Sequence, residues 1–319
     1  MKNLVRQPGI KERYSPEGGL IKTIANYKYF YLMVLPVVIW YIVFAYTPMY
    51  GVTLAFKSFD YSKGILGSPW IGLDNFRQLL TDVDFWNAFK NTLIISFGKL
   101  LFHFPLPIVL AIVLNEFSRD KAKKFFQTVF TFPHFISWVV LSGIITNIFS
   151  TSGAFNQIMT SLGFSNFSPL VDTSTFRPML YLTHIWKEIG WDSIIYLAAL
   201  TGINPELYEA AEMDGANRFQ RIIHITWPGI RGTVGILLIL AVGNLMSMGS
   251  SFDQIFNLYS SPVYSVADTI DTFVYRTTFT TGANFGYMTS IGLLKSIINL
   301  ILIFIANTTV KKMGEEGLY

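Results

Sequence analysis

His184, Lys187, Glu188, Trp191 and Asp192 recur at i, i+3, i+4, i+7 and i+8. That spacing lays them along one face of a helix. Two carboxyl groups a turn apart could exchange protons with a substrate. An imidazole, an ammonium and an indole beside them could hydrogen-bond the polar groups of a ligand and stack against a ring. The same set could also close on itself, with Lys187 paired to an acid to hold helices together. Nothing else completes a catalytic centre. The 319 residues include no Cys, which excludes thiolate catalysis, disulfides and Cys-ligated metal or iron–sulfur sites. His103, His134 and His184 are dispersed and lack the i, i+4 pairing or carboxylate motif of a metal site. There is no G-x-x-x-x-G-K-[ST]; Gly98-Lys99 is an isolated pair inside an apolar run. The chain therefore reads as a non-enzyme, with no cofactor of its own.

The elements that must position these residues are membrane spans. Hydrophobic residues make up 51% of the chain and charged ones 14%, against about 25% charged in soluble domains. A bilayer core needs about 20 mostly apolar residues as a helix. Six stretches qualify: Phe30–Tyr50, Leu93–Leu114, Phe125–Phe149, Pro178–Leu200, Gly232–Ser251 and Tyr287–Thr309. Backbone groups in lipid must be satisfied internally, and the alternation of a membrane barrel is missing, so an all-α polytopic protein is expected. Ionisable groups at membrane depth are costly and face a cavity or a partner, which singles out the fourth span. Asn244 of the fifth is a further candidate lining residue, with Met246 and Met248 beside it read as packing. Lys99 and Lys295 lie near span ends and could snorkel to the interface. Pro105 and Pro107 should kink the second span.

Lys and Arg concentrate in alternate connections: Lys2, Arg6, Lys11, Arg13, Lys22 and Lys28, then Arg119, Lys121, Lys123 and Lys124, then Arg218, Arg221 and Arg231, then Lys311 and Lys312. Lys57, Lys63, Arg77, Arg177 and Arg276 fall on the other side. This bias puts both termini in the cytoplasm. The first span is too long for a signal-peptide core and no small-residue cleavage site follows it. The expected organisation is a cytoplasmic extension over 1–29, a membrane domain over 30–310 with a cytoplasmic loop at 201–231, and a cytoplasmic tail over 311–319.

That loop has legible physics. Asn204 can cap a helix and Pro205 suits its first position. Glu206 and Glu209 sit near the positive end of the helix dipole. Leu207, Ala210 and Ala211 form a small apolar side, and Asp214-Gly215 signals a turn. A second amphipathic stretch, Asn217–Ile225, carries Phe219, Ile222, Ile223 and Ile225 with Arg218 and Arg221. Trp227-Pro228 is expected to close it at the membrane surface. A solvated linker between spans is the bland alternative.

Glu209-Ala210-Ala211, Asp214-Gly215-Ala216, and, beyond the nine residues that follow Gly215, Ile225-Thr226-Trp227-Pro228 resemble the EAA loop of binding-protein-dependent ABC importer permeases. Trp227 stands where that pattern usually has Leu. Trp70-Ile71-Gly72-Leu73-Asp74-Asn75-Phe76, with Phe85-Trp86 and Asn91-Thr92, resembles the first external loop of the carbohydrate class. Trp186–Trp191 running into Tyr196–Leu200 resembles a subgroup linked to complex oligosaccharides. The resemblance implies a type I ABC permease fold in a bacterial inner or plasma membrane. It implies a second homologous permease, two ATP-binding cassette subunits that bring ATP and Mg, an extracytoplasmic sugar-binding protein, and no nucleic acid. It implies that Glu209, Ala210, Ala211, Asp214, Gly215, Phe219 and Pro228 couple the chain to the ATPase. The expected function is uptake of oligosaccharides by alternating access. The surplus of intramembrane Lys and His makes an acidic, uronate-containing sugar one candidate. A permease for a non-sugar solute, or an ion-coupled secondary transporter, is the alternative; the latter would favour an inverted repeat, which is not seen.

Overall fold

The computed structural model describes residues 27–117, 119–247, 251–280, 282, 284–315 and 317–318. The N-terminal extension therefore lies almost wholly outside the described residues, as does Met248. Five helices are long and apolar enough to cross a bilayer: Lys28–Phe56, Val83–Asn115, Trp138–Ser161, Arg218–Gly243 and Phe285–Lys312. Among the described residues there is no β-strand, only an isolated bridge between Lys57 and Trp70.

The chain divides into two units, residues 1–53 and 54–319. The first contains α1 (Lys28–Tyr41), which passes through a π turn at Ile42–Tyr46 into a 3-10 segment, Thr47–Phe56. No residue of α1 is buried, although Phe30, Val37 and Trp40 are large and apolar. Such a helix needs apolar surroundings from outside the chain.

The second unit holds the other spans. Its principal helices are α2 (Asp74–Thr81), α3 (Val83–His103), α4 (Pro105–Asn115), α5 (Asp120–Thr131), α6 (Trp138–Phe149), α7 (Ala154–Ser161), α8 (Phe176–Thr201), α9 (Pro205–Met213), α10 (Arg218–Arg221), α11 (Trp227–Gly243), α12 (Phe252–Leu258), α13 (Ile270–Thr280) and α14 (Phe285–Lys312). The helix expected from Leu93 starts at Val83, where Asp82 caps it by accepting from the N–H of Asp84 and Phe85. The expected proline break falls at Pro105, which has no N–H and opens α4.

Two expectations need correcting. Phe125–Phe149 is not one helix. After α5, residues Phe132–Phe135 form a 3-10 turn containing Pro133; Ile136 and Ser137 are extended, and Ser137 caps α6. The apolar run concealed this because Pro133 and Ser137 act locally without interrupting hydrophobicity. Asn217–Ile225 is likewise not a closed helix: α10 continues through a π turn, Ile222–Thr226, directly into α11. Trp227-Pro228 does not end it. Pro228 takes the second position of α11, where a missing N–H costs little. The same helix ends at Gly243 rather than Ser251, followed by a turn over 244–247.

α8 is the hub. Tyr196, Leu197 and Leu200 pack with Ile108, Ala111 and Leu114 of α4 and Ile230 of α11. Phe176 and Leu180 pack with Ile95 of α3, Leu141 of α6 and Ile255 of α12. Gly190 lets α8 cross the end of α5 closely; a Cβ there would overlap the backbone of Phe130. A separate cluster joins Leu79, Phe85, Phe273, Tyr287 and Ile291 across α2, α3, α13 and α14. The connection before α13 is pinned by polar bonds. Arg177 donates to Asn91 Oδ1 at 2.8 Å and to the Val266 carbonyl at 3.0 Å, and Arg276 pairs with Asp268 at 2.5 Å.

Candidate functional site

α8 carries its polar residues past two different neighbours, and the helical period divides them. His184, Glu188 and Asp192, at i, i+4 and i+8, face a cavity of ≈ 570 Å³. Its other walls are Ser96, Lys99 and His103 of α3, Pro107 of α4, and Leu237, Leu240 and Ala241 of α11, with Asn244 just beyond. Lys187 and Trp191 do not line it. They lie one position round the helix, against the 3-10 turn that follows α5.

There a compact network forms. Lys187 is 5% exposed and donates to the His134 carbonyl at 2.6 Å. Its ammonium lies 3.1 Å from Glu188 Oε1. Glu188 Oε2 lies 2.6 Å from His134 Nδ1. The His134 ring stacks flat on Trp191, centroids 4.2 Å apart and planes 2° from parallel. Trp191 is thus engaged with His134, while Glu188 contributes both to this network and to the cavity wall.

On the cavity side, His103 Nε2 lies 2.7 Å from Asp192 Oδ2, tying α3 to α8. Lys99 and Lys295 do not snorkel. Lys99 is 4% exposed and donates to Gln254 Oε1 at 2.7 Å. Lys295 binds Asp271 on α13. Asn244 bonds back to the Leu240 carbonyl at 3.1 Å as the cap of α11, and Met246 is buried in packing. Ser96 and Gln254 were not singled out by the sequence. The available signal was the i, i+3, i+7 spacing of Ser96, Lys99 and His103 on one face of α3. Among the described residues, no group of three or more His, Asp or Glu is placed to hold a metal ion.

A second feature is the helical hairpin 204–226. Asn204 Oδ1 accepts from the Glu206 N–H at 3.1 Å, so the expected cap is present. At the other end Gly215 has φ +78°, a conformation that suits glycine. The Gly215 N–H bonds to the Glu212 carbonyl at 3.0 Å and the Ala216 N–H to the Ala211 carbonyl at 2.9 Å. These crossed bonds satisfy the last carbonyls of α9. Asn217 and Gln220 then form a reciprocal capping box at the start of α10. Arg221 pairs with Glu212 at 3.1 Å, and the Tyr208 hydroxyl lies 3.0 Å from Thr226 Oγ1, so the two arms are tied together. Glu209, Ala210, Met213 and Phe219 are exposed; Ala211, Asp214 and Gly215 line a shallow cleft. The hairpin is internally satisfied, yet presents Leu207, Met213 and Phe219 outward. Their exposed apolar area needs a partner.

Residues 103–315 match the family described as "Binding-protein-dependent transport system inner membrane component". The chain belongs to this family. It is 41% identical over 301 residues to the "Polygalacturonan/rhamnogalacturonan transport system permease protein YteP" of Bacillus subtilis (strain 168), spanning 94% of this chain and 92% of that protein. It is 42% identical over 293 residues to "Protein LplB" of the same organism, covering 92% and 91% of the two chains. Its fold is similar to a chain of a bacterial ABC transporter involved in the import of the acidic polysaccharide alginate. The TM-score is 0.85 at 37% identity, over 93% of this permease and 100% of that chain. The same transporter type is known in complex with an alginate pentasaccharide-bound periplasmic protein. The permease is thus an inner-membrane component of an ABC transporter, with several membrane-spanning helices and the fold of an importer permease.

Proposed function

We infer that this permease imports oligosaccharides whose sugars carry uronate carboxyl groups, and that it does so by alternating access driven by a separate ATPase. The observation that carries this reading is the pairing of two relatives with acidic substrates. One, matched over 94% of this chain, is named for polygalacturonan and rhamnogalacturonan; the other imports alginate. A cavity walled by Lys99, His103 and His184 supports it.

In this reading six helices cross the membrane, the five apolar ones and α8, with both termini cytoplasmic. The Lys and Arg distribution supports that orientation. Residues 30–310 form the membrane domain and 311–319 a short cytoplasmic tail. A second, homologous permease closes the open side of the cavity, and an extracytoplasmic binding protein delivers the sugar. Two ATP-binding cassette subunits, holding ATP and Mg, dock on the hairpin. Glu209 makes a charged contact there; Ala210 and Ala211 permit close approach; Asp214 and Gly215 fix the angle between the arms. Phe219 fills an apolar socket, and Pro228 sits where α10 passes into α11. Because α10, the π turn and α11 are continuous, a push on the hairpin travels straight into a cavity wall. His184, Glu188, Asp192 and Asn244 border the sugar path, while Lys187 and Trp191 hold α8 against the turn at Phe132–Phe135.

The test is reconstitution of the chain with its candidate second permease, ATPase and binding protein in lipid discs. ATP hydrolysis is measured against a panel of neutral and acidic oligosaccharides. Stimulation that needs every component and favours the acidic sugars is the expected result. Transport without ATP, or no association with an ATPase, would overturn it.

A further inference from the structure

Lys99, Lys187 and Lys295, the lysines within the apolar stretches, are not treated alike. Lys187 has Glu188, and Lys295 has Asp271. Lys99 gives its ammonium to the neutral amide of Gln254, and no carboxylate of the described residues forms an ion pair with it. Gln254 cannot turn away, because its Nε2 donates to the Leu180 carbonyl at 2.8 Å and to Thr183 Oγ1 at 2.9 Å. The same bonds bring Lys99 beside the turn of α8 that bears His184. Ser96 and His103 flank Lys99 on its own helix face, and the His103 and His184 rings are 4.7 Å apart. All four residues line the cavity.

Three polar atoms in this corner have no hydrogen-bond partner although they are buried: Ser96 Oγ, His103 Nδ1 and His184 Nδ1. Ser96 is 1% exposed. Buried polar groups are nearly always satisfied, and each exception is costly. Here the exceptions gather around a lysine that no carboxylate of the described residues contacts directly; Glu188 acts on it only at a distance. The acids that share the cavity are already engaged, Glu188 with Lys187 and His134, Asp192 with His103. A group with two acceptor oxygens and a negative charge answers both deficits at once. A sugar hydroxyl would supply the hydrogen bonds but leave the charge unbalanced.

We propose that Ser96, Lys99 and His184 form a subsite for one carboxylate of the sugar in transit. This rests on the importer reading above. The carboxylate oxygens accept from the Lys99 ammonium, the Ser96 hydroxyl and the His184 ring. Gln254 keeps Lys99 on the cavity wall while the site is empty.

The experiment uses the assembled transporter in lipid discs without binding protein, so that the binding protein's own selectivity does not enter. Equilibrium binding is measured for trigalacturonate and for the same trimer after carboxyl reduction. The wild type should prefer the acidic trimer. Lys99→Met should weaken the acidic trimer about tenfold and leave the reduced one unchanged, the scale of one charge-assisted contact. Equal loss for both trimers, an undiminished preference in the variant, or no acidic preference in the wild type would each overturn the subsite. Should Lys99→Met fail to assemble, Lys99→Gln and Ser96→Ala take its place. A weakening specific to the acidic trimer in them supports the subsite, and retention of the full preference overturns it. If the complete system with binding protein responds to no oligosaccharide at all, the importer reading itself falls. If it responds to acidic sugars while the Lys99 variants bind them normally, only the subsite does.

Discussion

Glu188 shows how one carboxylate is asked to serve two neighbours. It balances Lys187 and receives His134, and its side chain still reaches the cavity wall. Glu188→Gln keeps the shape and removes the charge, leaving an almost fully buried ammonium with the His134 carbonyl and the face of Trp138 but no carboxylate. Breaking a buried pair from one side costs about 3–5 kcal/mol. We therefore expect Glu188→Gln to lower the thermal unfolding midpoint of the protein in lipid discs. Adding Lys187→Met should restore part of the loss, because no charge is then stranded. Strictly additive losses in that double-mutant cycle would mean that the two side chains do not share the charge. The sequence made the polar face of α8 legible but not its division. A stripe at i, i+3, i+4, i+7 and i+8 is wide enough to touch two neighbours, and only the turn at Phe132–Phe135 decides that Lys187 and Trp191 go to one and His184 and Asp192 to the other. The contact of Lys99 was not legible, because its partner, Gln254, is 155 positions away in the chain.

At the scale of elements, the hairpin was legible at its ends and misread at its exit. Asn204, Pro205 and Gly215 act on their immediate neighbours, so their roles could be read from sequence order. The π turn at Ile222–Thr226 could not, since no residue type announces it. It leads into Pro228 without ending the helix, turning what looked like a stop into a continuous strut. That strut makes Gly215 informative. A β-branched residue at φ +78° is strained by about 1–3 kcal/mol, enough to reshape the angle between α9 and α10. Gly215→Val should leave sugar binding to the assembled cavity near normal while sharply reducing sugar-stimulated ATP hydrolysis. Gly215→Asn, which tolerates the left-handed region, should retain most of it. Normal coupling in Gly215→Val would remove the hairpin from the coupling path.

At the scale of the molecule, the site weakens the very signal that reveals the spans. α8 runs for 26 residues, long enough to cross, yet it is not among the five helices apolar enough to be recognised as crossing. Lys187, Glu188 and Asp192 are the reason, and they are the residues that build the cavity wall and its brace. Charge at membrane depth, which argues against a span by hydropathy, argues for one by function once each group has a partner. The absence of Cys allows a direct test. Single cysteines at Ser174 and Met213, both exposed, bracket α8. In intact cells whose outer face is accessible, a membrane-impermeant maleimide should label Ser174→Cys. It should reach Met213→Cys only after permeabilisation, as it should Lys121→Cys in the first turn of α5. Labelling of Ser174→Cys and Met213→Cys from the same side would mean that α8 does not cross. The Lys and Arg count would then describe a different topology, and the cavity would have to open to one face of the membrane by a route that α8 does not wall.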